Sequence, residues 1–210
     1  EAGTVRGRSA DPNEDPFSSI SFLKESDSEF LQGVGSLLSW PEEPLGFSLY
    51  GRWIPDKSDH GIWYMNLSYQ VTDWLRLGVD YRPLTDDVSI LANVRVFPEN
   101  DTWRPALIIG TSNDDFGDIN SDSYYATLSK HLFEAGGVNV SLYGGATFIE
   151  ELDEVRPVGG IHLRKDAWSG MFMYSGVDEH VSISRDFGNH TVTFLLFDLD
   201  LPGIAYGYRF

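Results

Sequence analysis

Apolar and polar residues alternate along this chain from Leu45 to Phe210, in short runs broken by Gly, Pro, Asp and Asn. Trp63, Met65, Leu67, Tyr69 and Val71 share one face of an extended segment, against Tyr64, Asn66, Ser68 and Gln70 on the other. Leu75, Leu77, Val79 and Tyr81 likewise oppose Arg76, Gly78 and Asp80, and Val138, Val140 and Leu142 oppose Asn139, Ser141 and Tyr143. This period of two predicts twelve strands, over roughly 45–54, 62–71, 74–82, 87–97, 103–111, 123–132, 138–148, 156–165, 167–175, 180–187, 190–199 and 202–210. Most span 9–11 residues, the length a tilted strand needs to cross a bilayer. Many apolar faces end in an aromatic (Trp53, Trp63, Tyr81, Trp168), as at the two interfaces of a membrane barrel. The even count and these aromatic ends predict an all-β fold, a twelve-stranded antiparallel transmembrane β-barrel over residues 45–210.

Residues 1–44 read differently, as a lead on the periplasmic side of such a barrel. Asp11-Pro12 and Asp15-Pro16 break a polar leader over 1–16. Ser26 with Glu29 forms a capping-box pattern, and Phe30, Val34, Leu37 and Leu38 recur at helical spacing, while Gly33 and Gly35 weaken a helix. The expectation is a short helical or irregular segment over 26–40, either a foot that docks a partner or a plug folded into the barrel. The polar start, Glu1-Ala-Gly-Thr4, reads as a terminus left after signal cleavage.

Composition adjusts this picture in three ways. A formal net charge of −17 argues against nucleic acid as a partner. The acid lies mostly in the connections, whereas arginines fall inside the strands. No run approaches the ~18 apolar residues of a transmembrane helix, which leaves a barrel untouched. The absence of cysteine suits an oxidising compartment. If Phe210 is periplasmic, the connections at 55–61, 82–86, 112–122, 149–155, 176–179 and 199–202 face outward and hold the longest loop.

Parity then assigns an interior. With Ile204, Tyr206 and Tyr208 toward lipid, Arg52, Arg76, Arg95 and Arg209 point into the lumen, with Arg82 and Arg164 at strand ends of the same parity. His131, His162 and His180 join them, with Asn66, Gln70, Asn93, Asn139 and Tyr143 as polar neighbours. One expectation is a track for anionic solutes, because guanidinium groups grip carboxylate and phosphate bidentately and cationic rings select anions in pores. The competing expectation is an internal ion-pair network with Asp80, Asp186 or Asp198 that seals the lumen.

The last strand, Pro202 to Phe210, resembles the assembly signal of bacterial outer-membrane barrels, carried by Tyr206, Tyr208 and the terminal Phe210. Longer stretches resemble the YjbH-like outer-membrane proteins associated with exopolysaccharide biosynthesis. They are Gly33-Val-Gly-Ser-Leu-Leu38 before Pro41, Thr72-Asp-Trp-Leu-Arg76 leading to Tyr81-Arg82, and Arg104-Pro-Ala-Leu-Ile-Ile-Gly110. Asp115-Phe-Gly117, Tyr124-Tyr-Ala-Thr-Leu-Ser-Lys130 and Val158-Gly-Gly-Ile-His-Leu-Arg164 follow in the same order, so the resemblance spans about 28–210. It implies an integral outer-membrane barrel with both termini periplasmic, a small component of polysaccharide export or passage. The partners implied are outer-membrane lipids and lipopolysaccharide, the barrel-assembly machinery and polysaccharide-export proteins.

Two rival chemistries are weaker. His180-Val-Ser182 resembles the His-x-Ser pair of outer-membrane phospholipase A, but Val181 and Ile183 claim the lipid side and turn the pair inward. The acidic loop from Asn113 to Asp122 lacks the turn-position glycine and the terminal glutamate of a calcium-binding EF-hand. No metal or cofactor is expected, and no enzymatic activity. Two alternatives to export stand beside it: an Arg-lined porin for anionic oligosaccharides, and a closed structural barrel that binds other proteins.

Overall fold

The structure, a computed structural model, describes residues 46–57, 59–100, 102–113, 115–116 and 119–210. The leader and the segment at 26–40 lie outside these. The first strands are β1 (Phe47–Trp53), β2 (Trp63–Gln70), β3 (Leu75–Arg82), β4 (Asp87–Phe97) and β5 (Ala106–Ser112). Two short strands, β6 (Asp115–Phe116) and β7 (Ile119–Asn120), pair only with each other. Then come β8 (Ser123–Ala135), β9 (Val138–Ile149), β10 (Glu154–Lys165), β11 (Trp168–Tyr174), β12 (Glu179–Phe187), β13 (His190–Phe197) and β14 (Leu201–Arg209). A single turn of helix, α1 (Asp59–Ile62), lies between β1 and β2.

Leaving β6 and β7 aside, twelve strands close into one antiparallel barrel, each beside its neighbour in sequence. Closure is made by β1 against β14, with Ser48 opposite Arg209 and Trp53 opposite Ile204. The Phe210 N–H donates to the Phe47 carbonyl at 3.0 Å, extending the seam by one bond. A closed barrel satisfies every strand edge, which is the condition for β-structure in hydrocarbon. Among the described residues, the ladders are interrupted by bulges between Arg95 and Phe97 in β4 and between His131 and Phe133 in β8.

Connections differ at the two ends. At the end holding Phe210, residue pairs 136–137, 166–167 and 188–189 suffice to turn the chain. Gly136 and Gly137 both have positive φ (61° and 77°), the geometry of a tight primed hairpin turn that glycine adopts without steric cost. The opposite end carries the longest connections, 54–62 and 113–122.

Burial is inverted relative to a soluble sandwich. Ile90, Val88, Phe194 and Ile183 are exposed on the outside, while Arg52, Asn66, Asp80, Arg82 and Thr127 are enclosed. Along β12 the alternation is complete: Val181 and Ile183 outside, His180, Ser182 and Ser184 within. An apolar exterior of this extent has no stable contact with water and demands a hydrocarbon surround. Aromatics collect at its rims, with Trp53 stacked on Trp63 (centroids 6.0 Å apart) at one end and Phe47 against Tyr69 (4.5 Å) at the other. No helix among the described residues is long and apolar enough to cross a membrane.

Candidate functional site

The lumen wall is built by the inward member of each alternating pair, and it is chemically uneven. Near the long-loop end, Arg52 on β1 and Tyr64 on β2 are register partners, and both side chains are almost fully enclosed. The Arg52 guanidinium carbon lies 5.0 Å from the Tyr64 ring centre and 5.7 Å from that of Phe197 on β13. Arg82, at the end of β3, approaches the same Tyr64 ring at 5.6 Å and bonds Asp87 at 3.1 Å. Lys57 reaches inward from the β1–β2 connection, placing its ammonium 3.3 Å from the Phe197 ring centre. His180 also packs against Phe197, with centroids 4.0 Å apart, and its Nδ1 accepts the Asp198 N–H at 3.2 Å. Three cations and a histidine thus share two aromatic rings. The ring quadrupoles stabilise cations over their faces, more strongly where water is excluded.

An apolar patch supports that cluster. Tyr50, Ile54, Tyr64, Leu195, Phe197 and Ala205 form one buried group, partly covered by Leu201. The β1–β2 connection is anchored by the Ile54 N–H donating to the Ile62 carbonyl at 2.9 Å, which turns the chain back toward the barrel wall. Lys57 is therefore held by its own connection.

Below this cluster the lining mixes charged and neutral polar side chains. Asn66 donates to Asp80 at 2.5 Å, and the Arg76 Nε donates to Gln70 at 3.0 Å. Tyr125 lies over Gly110 and donates to the Asn93 side-chain oxygen at 2.5 Å. A Cβ at Gly160 would lie 2.6 Å from the Tyr143 ring, so the ring occupies this place because the neighbouring residue has no side chain. The hydroxyls of Tyr143 and Ser182 are buried and find no hydrogen-bond partner among the described residues. Ser184 and Thr193 bond one another at 2.8 Å.

At the terminal end, Arg95, Arg164 and His131 tie neighbouring elements together. Arg95 is half-buried and donates to the Asp73 carbonyl at 2.6 Å, tying β4 to the β2–β3 turn. Arg164 meets Asp186 at 3.4 Å, and Asp186 also accepts from Thr191 at 2.7 Å. His131 sits at the β8 bulge, where its backbone N–H donates to the Glu99 carboxylate at 3.1 Å. His162 and Arg209 are half-buried on the inner face, opposite Met171 and Ser48 respectively.

The inward set therefore divides. Arg52, Arg82 and His180 come together at the long-loop end, with Asn66, Arg76 and Asn93 below them. Arg95, Arg164, Arg209, His131 and His162 do not join that cluster. Lys57 belongs to it and escapes a reading by strand parity because it lies in a connection. Asp198, expected as an inward carboxylate, is instead exposed in the β13–β14 turn with φ of 51°. β13 ends at Phe197, so Asp198 offers His180 its backbone N–H and not its charge.

Tyr206 and Phe210 face outward, and Tyr208 packs edge-on against Phe210 at 4.8 Å. The Tyr206 hydroxyl is bonded to His190 Nδ1 at 2.6 Å. His180 and Ser182 both face the lumen, where an acyl chain in the surrounding bilayer does not reach them. A lipase assay is accordingly expected to give the same baseline for Ser182→Ala as for the parent; a drop in the variant would show a hydrolytic role. Among the described residues no His, Cys, Asp and Glu group is arranged to hold a metal.

Fold and lining together describe a twelve-stranded membrane-type barrel with a polar, cation-bearing interior. No protein-family model matches the sequence, and no curated protein does either. Among solved structures the chain is similar to Pseudomonas putida OprB, in a structure at low pH, with 10% identity and a TM-score of 0.34. The match covers 78% of this chain and 62% of the OprB chain, so the chain spans less than two thirds of that protein's length.

Proposed function

We propose that the protein is an integral outer-membrane barrel, not an enzyme, whose lumen admits anionic saccharide chains for export or passage across the membrane. The observation that carries this is the grouping of Arg52, Lys57 and Arg82 on the Tyr64 and Phe197 rings. A guanidinium lying over an aromatic face directs its N–H fork sideways, the geometry that grips a carboxylate in two places. The hydroxyl-bearing wall below, with Tyr143 and Ser182, suits a polyhydroxylated chain. Short turns at the Phe210 end and longer connections at 54–62 and 113–122 support a reading in which Phe210 is periplasmic and the long connections face outward. Tyr206, Tyr208 and Phe210 serve as the assembly signal in this reading, and the YjbH-like resemblance supplies the polysaccharide context and the export partners.

A second reading, a sealed structural barrel, is favoured by the near-complete enclosure of Arg52, Asn66, Asp80 and Arg82. Swelling of vesicles holding the purified full chain separates the two. Trigalacturonate is expected to enter faster than maltotriose, and the Arg52→Gln/Arg82→Gln variant should bring the two rates together. No swelling with either sugar selects the sealed barrel. Equal parental rates defeat the anionic preference while leaving the pore.

A further inference from the structure

The apolar exterior is not of even height around the barrel. On β12 the outward residues run Glu179, Val181, Ile183, Arg185, so a carboxylate and a guanidinium bracket two apolar side chains. The Arg185 guanidinium carbon sits 5.0 Å from both the Trp168 and Phe187 ring centres, the posture of a charge held at a membrane interface. Along β14 and just past it the outward row runs Pro202, Ile204, Tyr206, Tyr208 and Phe210, two apolar residues followed by three aromatics, of which Tyr206 is engaged by His190. On β2, the rings of Trp63 and Tyr69 enclose Met65 and Leu67. These strands belong to one continuous flank, in spatial order β12, β13, β14, β1, β2.

The other flank is taller. On β9 the outward positions Val138, Val140, Leu142, Gly144, Ala146 and Phe148 carry no charge. On β10, Val155, Pro157, Gly159, Ile161 and Leu163 run uninterrupted to Lys165. At a strand rise of about 3.3 Å per residue and a tilt near 40°, the six steps from Glu179 to Arg185 span about 15 Å along the membrane normal. The ten steps from Val155 to Lys165 span about 25 Å on the same basis, the height of an ordinary barrel belt.

We propose that the β12–β2 flank is a surface for short acyl chains, and that the protein thins the hydrocarbon layer along it while the β9–β10 flank sits in bilayer of normal thickness. This rests on the membrane reading above and is independent of what passes through the lumen. A full-thickness chain beside β12 would bring Glu179 or Arg185 into hydrocarbon, where an exposed charge is costly. Local thinning costs only fractions of a kcal/mol per ångström, so the lipid yields before the charges do. The β1–β14 closing seam lies within the thin flank.

The test uses the full chain in phosphatidylcholine vesicles, with brominated lipids quenching its tryptophans in competition with unbrominated lipids of fourteen-, eighteen- and twenty-two-carbon chains. The fourteen-carbon lipid is expected to bind about two- to fivefold more strongly than the twenty-two-carbon one. Glu179→Leu/Arg185→Leu should move the optimum to longer chains, and Arg185→Leu alone, which keeps both flanking rings, should move it part way. Equal quenching at every chain length, a parental optimum at eighteen carbons or more, or an optimum unmoved in both variants overturns the inference. Absence of quenching by any brominated lipid would instead overturn the membrane reading itself.

Discussion

Gly145→Ala is expected to destabilise the barrel by about 1–3 kcal/mol, whereas Gly51→Ala should be nearly neutral. Both glycines lie in regular strands with unremarkable φ, so the contrast is one of space. A Cβ at Gly145 would strike the Ala126 carbonyl oxygen and come within 2.8 Å of the Thr127 Cα. Those are backbone atoms of β8, fixed by the longest hairpin in the barrel, Ser123 opposite Ile149 through Ala135 opposite Val138. No rotamer change relieves the overlap, so the ladder itself must shift. At Gly51 the nearest atom is the Tyr64 carbonyl oxygen at 3.9 Å, an ordinary contact on the lipid side. Urea midpoints followed by tryptophan fluorescence in lipid would show the difference. Equal midpoints for the two variants would mean that β8 and β9 part freely at this level.

The strands were legible in the sequence because a barrel wall between two unlike media imposes a strict period of two. Trp63 through Gln70 and Leu75 through Arg82 display it without exception, and their ends fall within a residue of the observed ones. The period also places Arg52, Arg76 and Asn66 on the inner face, since one side-chain direction settles all others in a regular strand. It fails where regularity fails. β8 runs on to Ala135 beyond its bulge, where alternation in the sequence has already lapsed. β5 starts at Ala106 because Arg104 and Pro105 belong to the preceding connection, where the Arg104 N–H caps onto Asn100 at 2.9 Å.

Parity is also silent about depth and pairing. It treats Arg52 and Arg95 alike, although one lies on aromatic rings inside the lumen and the other clamps a turn. Lys57 carries no periodic signal at all. Its neighbours Pro55, Asp56 and Ser58 read as an ordinary loop, and only the inward fold of the connection brings it to Phe197.

Asp80→Asn is expected to cost about 3–5 kcal/mol, the usual consequence of removing one charge from a buried ionic group. Asp80 is a fully enclosed carboxylate on the inner face of β3, between Arg76 and Arg82 in the same alternating row. Asn66 fixes its orientation through a 2.5 Å bond from the facing strand. Its loss leaves the arginines of that row with one fewer counter-charge in a site that excludes water. The same change should raise preference for anions in the swelling assay, opposite in sign to Arg52→Gln/Arg82→Gln. Stability and selectivity thus move apart, which a purely structural role for the carboxylate does not produce. Adding Arg82→Gln to Asp80→Asn should recover part of the lost stability, because the uncompensated cation goes with it, and the double-mutant cycle measures that coupling directly. Arg82 also has Asp87 at 3.1 Å, a partially exposed carboxylate at the lumen mouth. A cost for Asp80→Asn below about 1 kcal/mol, the range of exposed pairs, would show that Asp87 alone balances Arg82 and that Asp80 contributes nothing to the charge of the site.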